Sequence, residues 1–169
     1  GETQKAYTFE EIKDAIEKIG YWLKKDLGFA RGDTLALALP NSAELLLVSF
    51  AAWAAGIVTV PLDVKSDGIK DHMYKLQLSR AKAVLAALDA FGAADKERIS
   101  KAVKIIDARE LENLQEKGSE DIFEQGLSHT ALLLFTSGTT AAPKAVELTL
   151  ENLLVNAQGI KSWFSVSEK

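Results

Sequence analysis

Four short, nearly uninterrupted apolar runs, at 34–39, 57–60, 83–86 and 131–135, are separated by stretches whose apolar residues recur at helical spacing. This alternation constrains the chain more than any other feature. A strand that is apolar at every position must be covered on both faces, which is the condition of a parallel sheet between helices. Parallel neighbours also need a crossover long enough to hold a helix, and the intervals between the runs supply that length. The expectation is an α/β fold with a largely parallel sheet flanked by helices.

The helix signals are local. Thr8 can accept from the first turn of a helix, and Glu11, three residues on, completes a capping box. Phe9, Ile12, Ile16, Ile19, Leu23 and Leu27 follow as an apolar stripe that Gly28 stops. Arg31-Gly32-Asp33 is turn chemistry. Pro40 ends the first strand, and Asn41 with Glu44 reads as the cap of a buried helix over 43–55, closed by Gly56. Ser66 opens a further helix carrying Ile69, Met73, Leu76 and Leu78. The series is completed by a polar helix over 95–104, a strand over 103–106, a strand over 144–149 and an amphipathic helix over 152–164. The acidic stretch 109–126 reads as surface helix, and 107–128 as the variable surface connection. Residues 1–169 read as one domain or a fragment of one.

Composition closes off several function classes. The 20 basic and 24 acidic residues give a net charge of −4 and are interspersed, so no nucleic-acid surface is expected. With no cysteine, the chain has neither disulfides nor thiolate metal sites. His72 and His129 do not fall at a metal-ligand spacing. His72 reads as a surface histidine on a helix, and His129 as a group that caps or fills a turn. Trp22, Trp53 and Trp163 read as core or subdomain-contact aromatics. The apolar stretch 45–60, broken by Ser49, Gly56 and Thr59, is shorter than the roughly 20 residues of a membrane span. No signal-peptide pattern opens the chain, and a soluble, cytoplasmic protein is the expectation.

The chemistry is concentrated in Leu133-Leu134-Phe135-Thr136-Ser137-Gly138-Thr139-Thr140-Ala141-Ala142-Pro143-Lys144. A buried strand ends in four hydroxyl residues around one glycine, and a lysine follows where the next strand begins. Hydroxyls and backbone N–H groups in one concave turn can donate to phosphate oxygens. Gly138 permits close backbone approach, and Lys144 adds a positive point charge. On composition alone a plain Ser/Thr turn joining two strands explains the segment as well. A Walker loop does not: Pro143 and Ala145 flank the lysine where a glycine and a hydroxyl residue are required, and a strand follows it.

Thr136-Ser137-Gly138-Thr139-Thr140, then Pro143-Lys144, Val146, Leu148-Thr149 and Asn152-Leu153-Leu154, resembles the signature loop of AMP-binding adenylate-forming enzymes. That family includes acyl-CoA synthetases, aryl-CoA ligases, luciferases and the adenylation domains of peptide synthetases. Further landmarks stand in order upstream. They are Tyr7-Thr8-Phe9, Gly32-Asp33-Thr34-Leu35-Ala36 with Leu39-Pro40-Asn41-Ser42-Ala43-Glu44, and Ala54-Ala55-Gly56-Ile57-Val58 with Val60-Pro61-Leu62.

The resemblance implies the N-terminal subdomain of an acyl-CoA synthetase-like fold. It also implies an activity in which a carboxylic acid and ATP form an acyl-adenylate, followed by transfer to coenzyme A. It assigns the β- and γ-phosphates of ATP to Thr136, Ser137, Gly138, Thr139, Thr140 and Lys144. It makes Thr140 the one residue here that could reach Mg2+. No catalytic residue is implied in the chain, because the family's adenine and ribose segments, its magnesium-supporting glutamate and its lid lysine have no counterpart in 169 residues. The implied partners are therefore ATP, a carboxylic acid and the remainder of the enzyme. An apolar face left bare by that remainder would make self-association possible.

Two departures bear on function. Ala141 and Ala145 stand where the family usually has glycine, and since alanine in place of a glycine at φ > 0 costs about 1 kcal/mol or more, a different loop path or a lower affinity for triphosphate is expected. Leu150 stands where histidine is usual. Three readings thus stay open: a portion of a working ligase, a non-catalytic phosphate-binding or scaffold module derived from one, and an unrelated α/β domain whose loop is only a turn.

Overall fold

The structure is a computed structural model and describes residues 6–114, 126–136 and 143–164. One six-stranded sheet carries the fold, in the spatial order β4-β3-β1-β2-β5-β6. Its strands are β1 (Thr34–Ala38), β2 (Val58–Pro61), β3 (Ala83–Ala86), β4 (Lys104–Asp107), β5 (Thr130–Thr136) and β6 (Lys144–Thr149). The pairs β1–β2, β1–β3, β3–β4 and β2–β5 are parallel, and β5–β6 is antiparallel. The expected α/β sheet is present, with one antiparallel edge.

The helices are α1 (Phe9–Tyr21), α2 (Ala43–Ala54), α3 (Ile69–Leu78), α4 (Ala93–Ser100) and α5 (Leu150–Trp163). Alternate residues of the strands feed two apolar layers. Leu35, Leu37, Leu85 and Ile106 point to one face, where Ile19, Trp22 and Leu23 meet Val48, Ala51 and Ala52. Ala36, Ala38, Val84 and Val60 point to the other, against Leu76 of α3 and Ile99 of α4. The period of two along each strand thus sorts one apolar run into two cores. Fully burying one of the leucine, isoleucine or valine side chains contributes about 1.5–3 kcal/mol.

Several boundaries differ from expectation. The capping box at Thr8 is present, its hydroxyl accepting from the Glu11 amide at 3.2 Å. Phe9, expected in the apolar stripe, is 91% exposed, because the stripe meets the core only from the middle of α1 onward. The chain then widens into a π-helical turn over Trp22–Asp26 before Gly28, at φ +70°, breaks it. Ser42 rather than Asn41 caps α2, accepting from the Leu45 amide at 3.3 Å. Ser66 does not open α3. Its amide is already held by Asp63, and the cap is Gly68, whose N–H donates to Asp71 at 3.1 Å.

The polar helix is shorter than expected, at Ala93–Ser100, and α5 starts at Leu150 because Thr149 forms a capping box with Asn152. The expected surface helix begins as a 3-10 turn over Ala108–Asn113, and residues 115–125 lie outside the described residues. His72 is a correction. It is 3% exposed, edge-on to Phe91 at 5.3 Å, because α3 turns that position toward the sheet. Trp22 lies in the core as expected, and Trp53 donates from Nε1 to Thr59 at 2.8 Å. Trp163, on the exposed helix α5, is 87% exposed and joins no core. His129 fills the gap beside α2, its Nε2 3.0 Å from the Trp53 carbonyl oxygen. No helix among the described residues is long and apolar enough to cross a membrane.

Candidate phosphate site

Parallel strands bring their carboxyl ends to one rim of the sheet, and in open α/β sheets ligands bind outside that rim. The described ends of the segment singled out by sequence lie there. β5 runs parallel to β2 and ends at Thr136. β6 returns antiparallel from Lys144, with Thr136 opposite Lys144 and Phe135 opposite Ala145.

Two of the six expected phosphate-binding residues, Thr136 and Lys144, are therefore paired across the mouth of a hairpin and exposed. The Thr136 hydroxyl lies 3.5 Å from the Lys144 carbonyl oxygen, a long contact that leaves it free to turn to a ligand. The other four, Ser137, Gly138, Thr139 and Thr140, lie outside the described residues, as does Ala141. The concern over Ala145 is removed. Among the described non-glycine residues positive φ occurs at Arg80 alone, so Ala145 lies in ordinary extended strand without strain.

The surroundings of the hairpin mouth were not legible in the sequence. A cleft of about 630 Å³ opens beside it, bounded by Asn41 after β1, Asp63 and Ser66 after β2, Lys75 of α3, and Leu134 and Phe135 of β5. Asp63 shapes its floor by accepting from the amides of Lys65 and Ser66, both at 3.0 Å. The Ser66 and Lys65 amides hold the Asp63 carboxyl below its usual range.

On α3, Tyr74 donates to the Pro143 carbonyl at 3.0 Å, and Lys75 pairs with Asp67 while its ammonium lies 5.7 Å from the centre of the Phe135 ring. Farther along the rim, Arg109 holds the Asp107 carboxyl down to about 2, mainly through side-chain hydrogen bonds. Among the described residues no group of three or more His, Cys, Asp or Glu side chains could hold a metal ion.

The sequence pattern described as AMP-binding enzyme matches residues 2–169. Among curated relatives, 2-succinylbenzoate–CoA ligase of Bacillus velezensis is 31% identical over 88% of this chain and 29% of its own length. Oxalate–CoA ligase of Arabidopsis thaliana is 30% identical over 95% of this chain and 33% of its own. Among solved structures, o-succinylbenzoate CoA synthetase from Bacillus subtilis, in complex with the acyl-adenylate intermediate OSB-AMP, superposes with a TM-score of 0.81 at 27% identity. That match covers 98% of this chain and 42% of that one. The chain spans a third or less of the length of the curated relatives it matches first.

Proposed function

The chain belongs to the AMP-binding enzyme family, and from that membership we propose that it is the phosphate-gripping portion of an ATP-dependent carboxylate-activating ligase. In the proposed reaction a carboxylate oxygen attacks the α-phosphorus of ATP, the bond to the bridging oxygen breaks, and pyrophosphate leaves. A thiol such as coenzyme A then attacks the acyl carbon, a thioester forms, and AMP departs.

One observation carries this reading: Thr136 and Lys144 face each other where β5 ends, at the rim that parallel topology makes a ligand edge. Negative charge grows on the departing pyrophosphate, and an ammonium group with converging hydroxyls lowers the barrier by stabilising it there. The relatives named above are CoA ligases, which favours a thiol as acceptor. Mg2+, when bound with ATP, would neutralise phosphate charge, and by the resemblance Thr140 is the one residue of this chain that could reach it. The remainder of a longer enzyme would hold adenine, ribose and the lid. It would also cover the apolar faces of β5, β6 and α5, which in isolation favour self-association.

The test is Lys144→Ala in the intact ligase carrying this chain, read by ATP–pyrophosphate exchange. A loss of about 10- to 1000-fold is expected. Stability should move by about 0.5 kcal/mol or less, because Lys144 is exposed. Exchange within twofold of the wild type would remove the loop from the mechanism and favour the alternative, a phosphate-binding module without catalysis.

A further inference from the structure

A loop that holds phosphate must have its two ends held first. Here the ends are Phe135-Thr136 and Pro143-Lys144, and one turn of α3 touches both. The Tyr74 ring packs edge-on against Phe135, with centroids 6.5 Å apart at 72°. Its hydroxyl donates to the Pro143 carbonyl oxygen at 3.0 Å. The next residue, Lys75, places its ammonium over the same Phe135 ring and is itself fixed by Asp67. Both contacts span more than fifty positions of sequence, so they tie a helix of the packed sheet to the hairpin mouth.

We propose that Tyr74 is a positioning residue for Thr136 and Lys144, the described ends of the proposed phosphate site, setting the direction of the peptide that carries the Lys144 amide, a role that rests on the reading of that site given above. The geometry follows from the planar peptide. Proline has no N–H, so the carbonyl of Pro143 is its sole backbone hydrogen-bonding group. No described peptide bond is cis, and in a trans peptide C=O and N–H point in opposite directions. The Tyr74 hydroxyl, by pulling the Pro143 carbonyl toward α3, turns the Lys144 N–H away from α3. Where the loop leaves the sheet, that amide and the side chain it carries are thereby oriented before any ligand arrives. Orientation set in advance is what raises affinity for a polyanion at a short loop.

The test uses the intact ligase carrying this chain, with inorganic tripolyphosphate as probe, followed through the amide resonances of Thr136, Lys144 and Ala145. Tyr74→Phe keeps the ring against Phe135 and removes the donor. It is expected to weaken the probe about three- to tenfold, while its thermal midpoint stays within about 2 °C of the wild type. Tyr74→Leu removes both contacts and is expected to lower the midpoint as well. Lys144→Ala, which acts on charge rather than orientation, separates the two ideas.

If Lys144→Ala weakens the titration and Tyr74→Phe binds within twofold of the wild type, the positioning role is overturned and the loop reading stands. If affinity follows melting temperature across both Tyr74 variants, or if Tyr74→Phe unfolds, the residue is a packing group and the proposal is wrong. If tripolyphosphate leaves the wild-type resonances unmoved, the loop reading fails and takes the proposal with it.

Discussion

Leu85 and Leu134 are the same residue type in strands of the same sheet, yet Leu85 is 0% exposed and Leu134 is 40% exposed. Val84 and Val146 repeat the contrast at 0% and 42%. The first of each pair lies in the parallel block β1–β4, clamped between α1–α2 and α3–α4. The second lies in the β5–β6 hairpin, with α5 lightly packed beside it and no buried residue on that helix. One half of the molecule is therefore a finished core, and the other is a half-covered surface from which the proposed phosphate loop leaves. The proposed phosphate loop leaves from the less covered side, where opening is expected to be easier, and α3 supplies a tie from that side to the stable one.

The sharpest way to break that contrast is a pair of identical truncations. Leu85→Ala should cost about 2–5 kcal/mol, since the cavity it leaves is closed on all sides. Leu134→Ala should cost about 1 kcal/mol or less, because water already reaches that side chain. Urea denaturation of both variants decides the matter. Equal losses would mean that the hairpin is as much a part of the cooperative core as β3 is.

What was legible in the sequence divides along the same line. Runs that are apolar throughout, such as Leu35 to Leu39 and Ala83 to Ala86, read as buried parallel strands because a strand apolar at every position needs cover on both faces, whereas the equally apolar run at 131–135 gave no sign that Leu134 is 40% exposed. Caps written in adjacent residues, Thr8 with Glu11, were legible for the same local reason. Boundaries slipped where two local donors or acceptors competed, as at Asn41 against Ser42 and at Ser66, whose amide Asp63 claims first. His72 was misplaced because a polar neighbourhood in sequence says nothing about which side of a helix meets the sheet. The ends of the candidate site were visible as a motif. The hydrogen bond from Tyr74 to Pro143, 69 positions away, was not, since no periodicity encodes a contact made by folding.

A second prediction follows from the half-covered side. Val155, Ile160 and Trp163 stand exposed on α5, Phe164 just after it, and Leu134 and Val146 on the hairpin. The isolated 169-residue protein should show concentration-dependent association in analytical ultracentrifugation. Val155→Lys with Trp163→Glu should weaken that association about tenfold, while melting stays close to the wild type. A wild type that sediments as a clean monomer at the highest soluble concentration would show that these groups do not form a sticky face.

The smallest expected effect lies at the opposite rim of the sheet from the loop, at the amino ends of β1 and β3. Asp33 accepts from the Ala30 amide at 2.9 Å and from Lys82, whose ammonium also donates to the Gly28 carbonyl at 2.7 Å and lies over the Phe29 ring. Burial pushes the Asp33 carboxyl up, but the Ala30 amide and Lys82 together outweigh it, and the net direction is below the usual carboxylate range. A group whose folded value is depressed stabilises the fold above its unfolded value and loses that contribution as pH falls through the folded one. Asp33→Asn should therefore cost stability at pH 7, on the order of 1 kcal/mol or less given the partial exposure of both partners. The difference from wild type should shrink toward zero on the acid side of about pH 4. Denaturation curves at neutral and acid pH test the sign, and a gap that widens in acid would refute it. The same variant probes the boundary between the two regions. If the parallel block and the hairpin are joined mainly through α3, loosening the Asp33 corner should leave the Lys144 amide resonance in place even as the denaturation midpoint falls. Movement of that resonance would mean that the edge strand senses the far end of the sheet directly through β1 and β2.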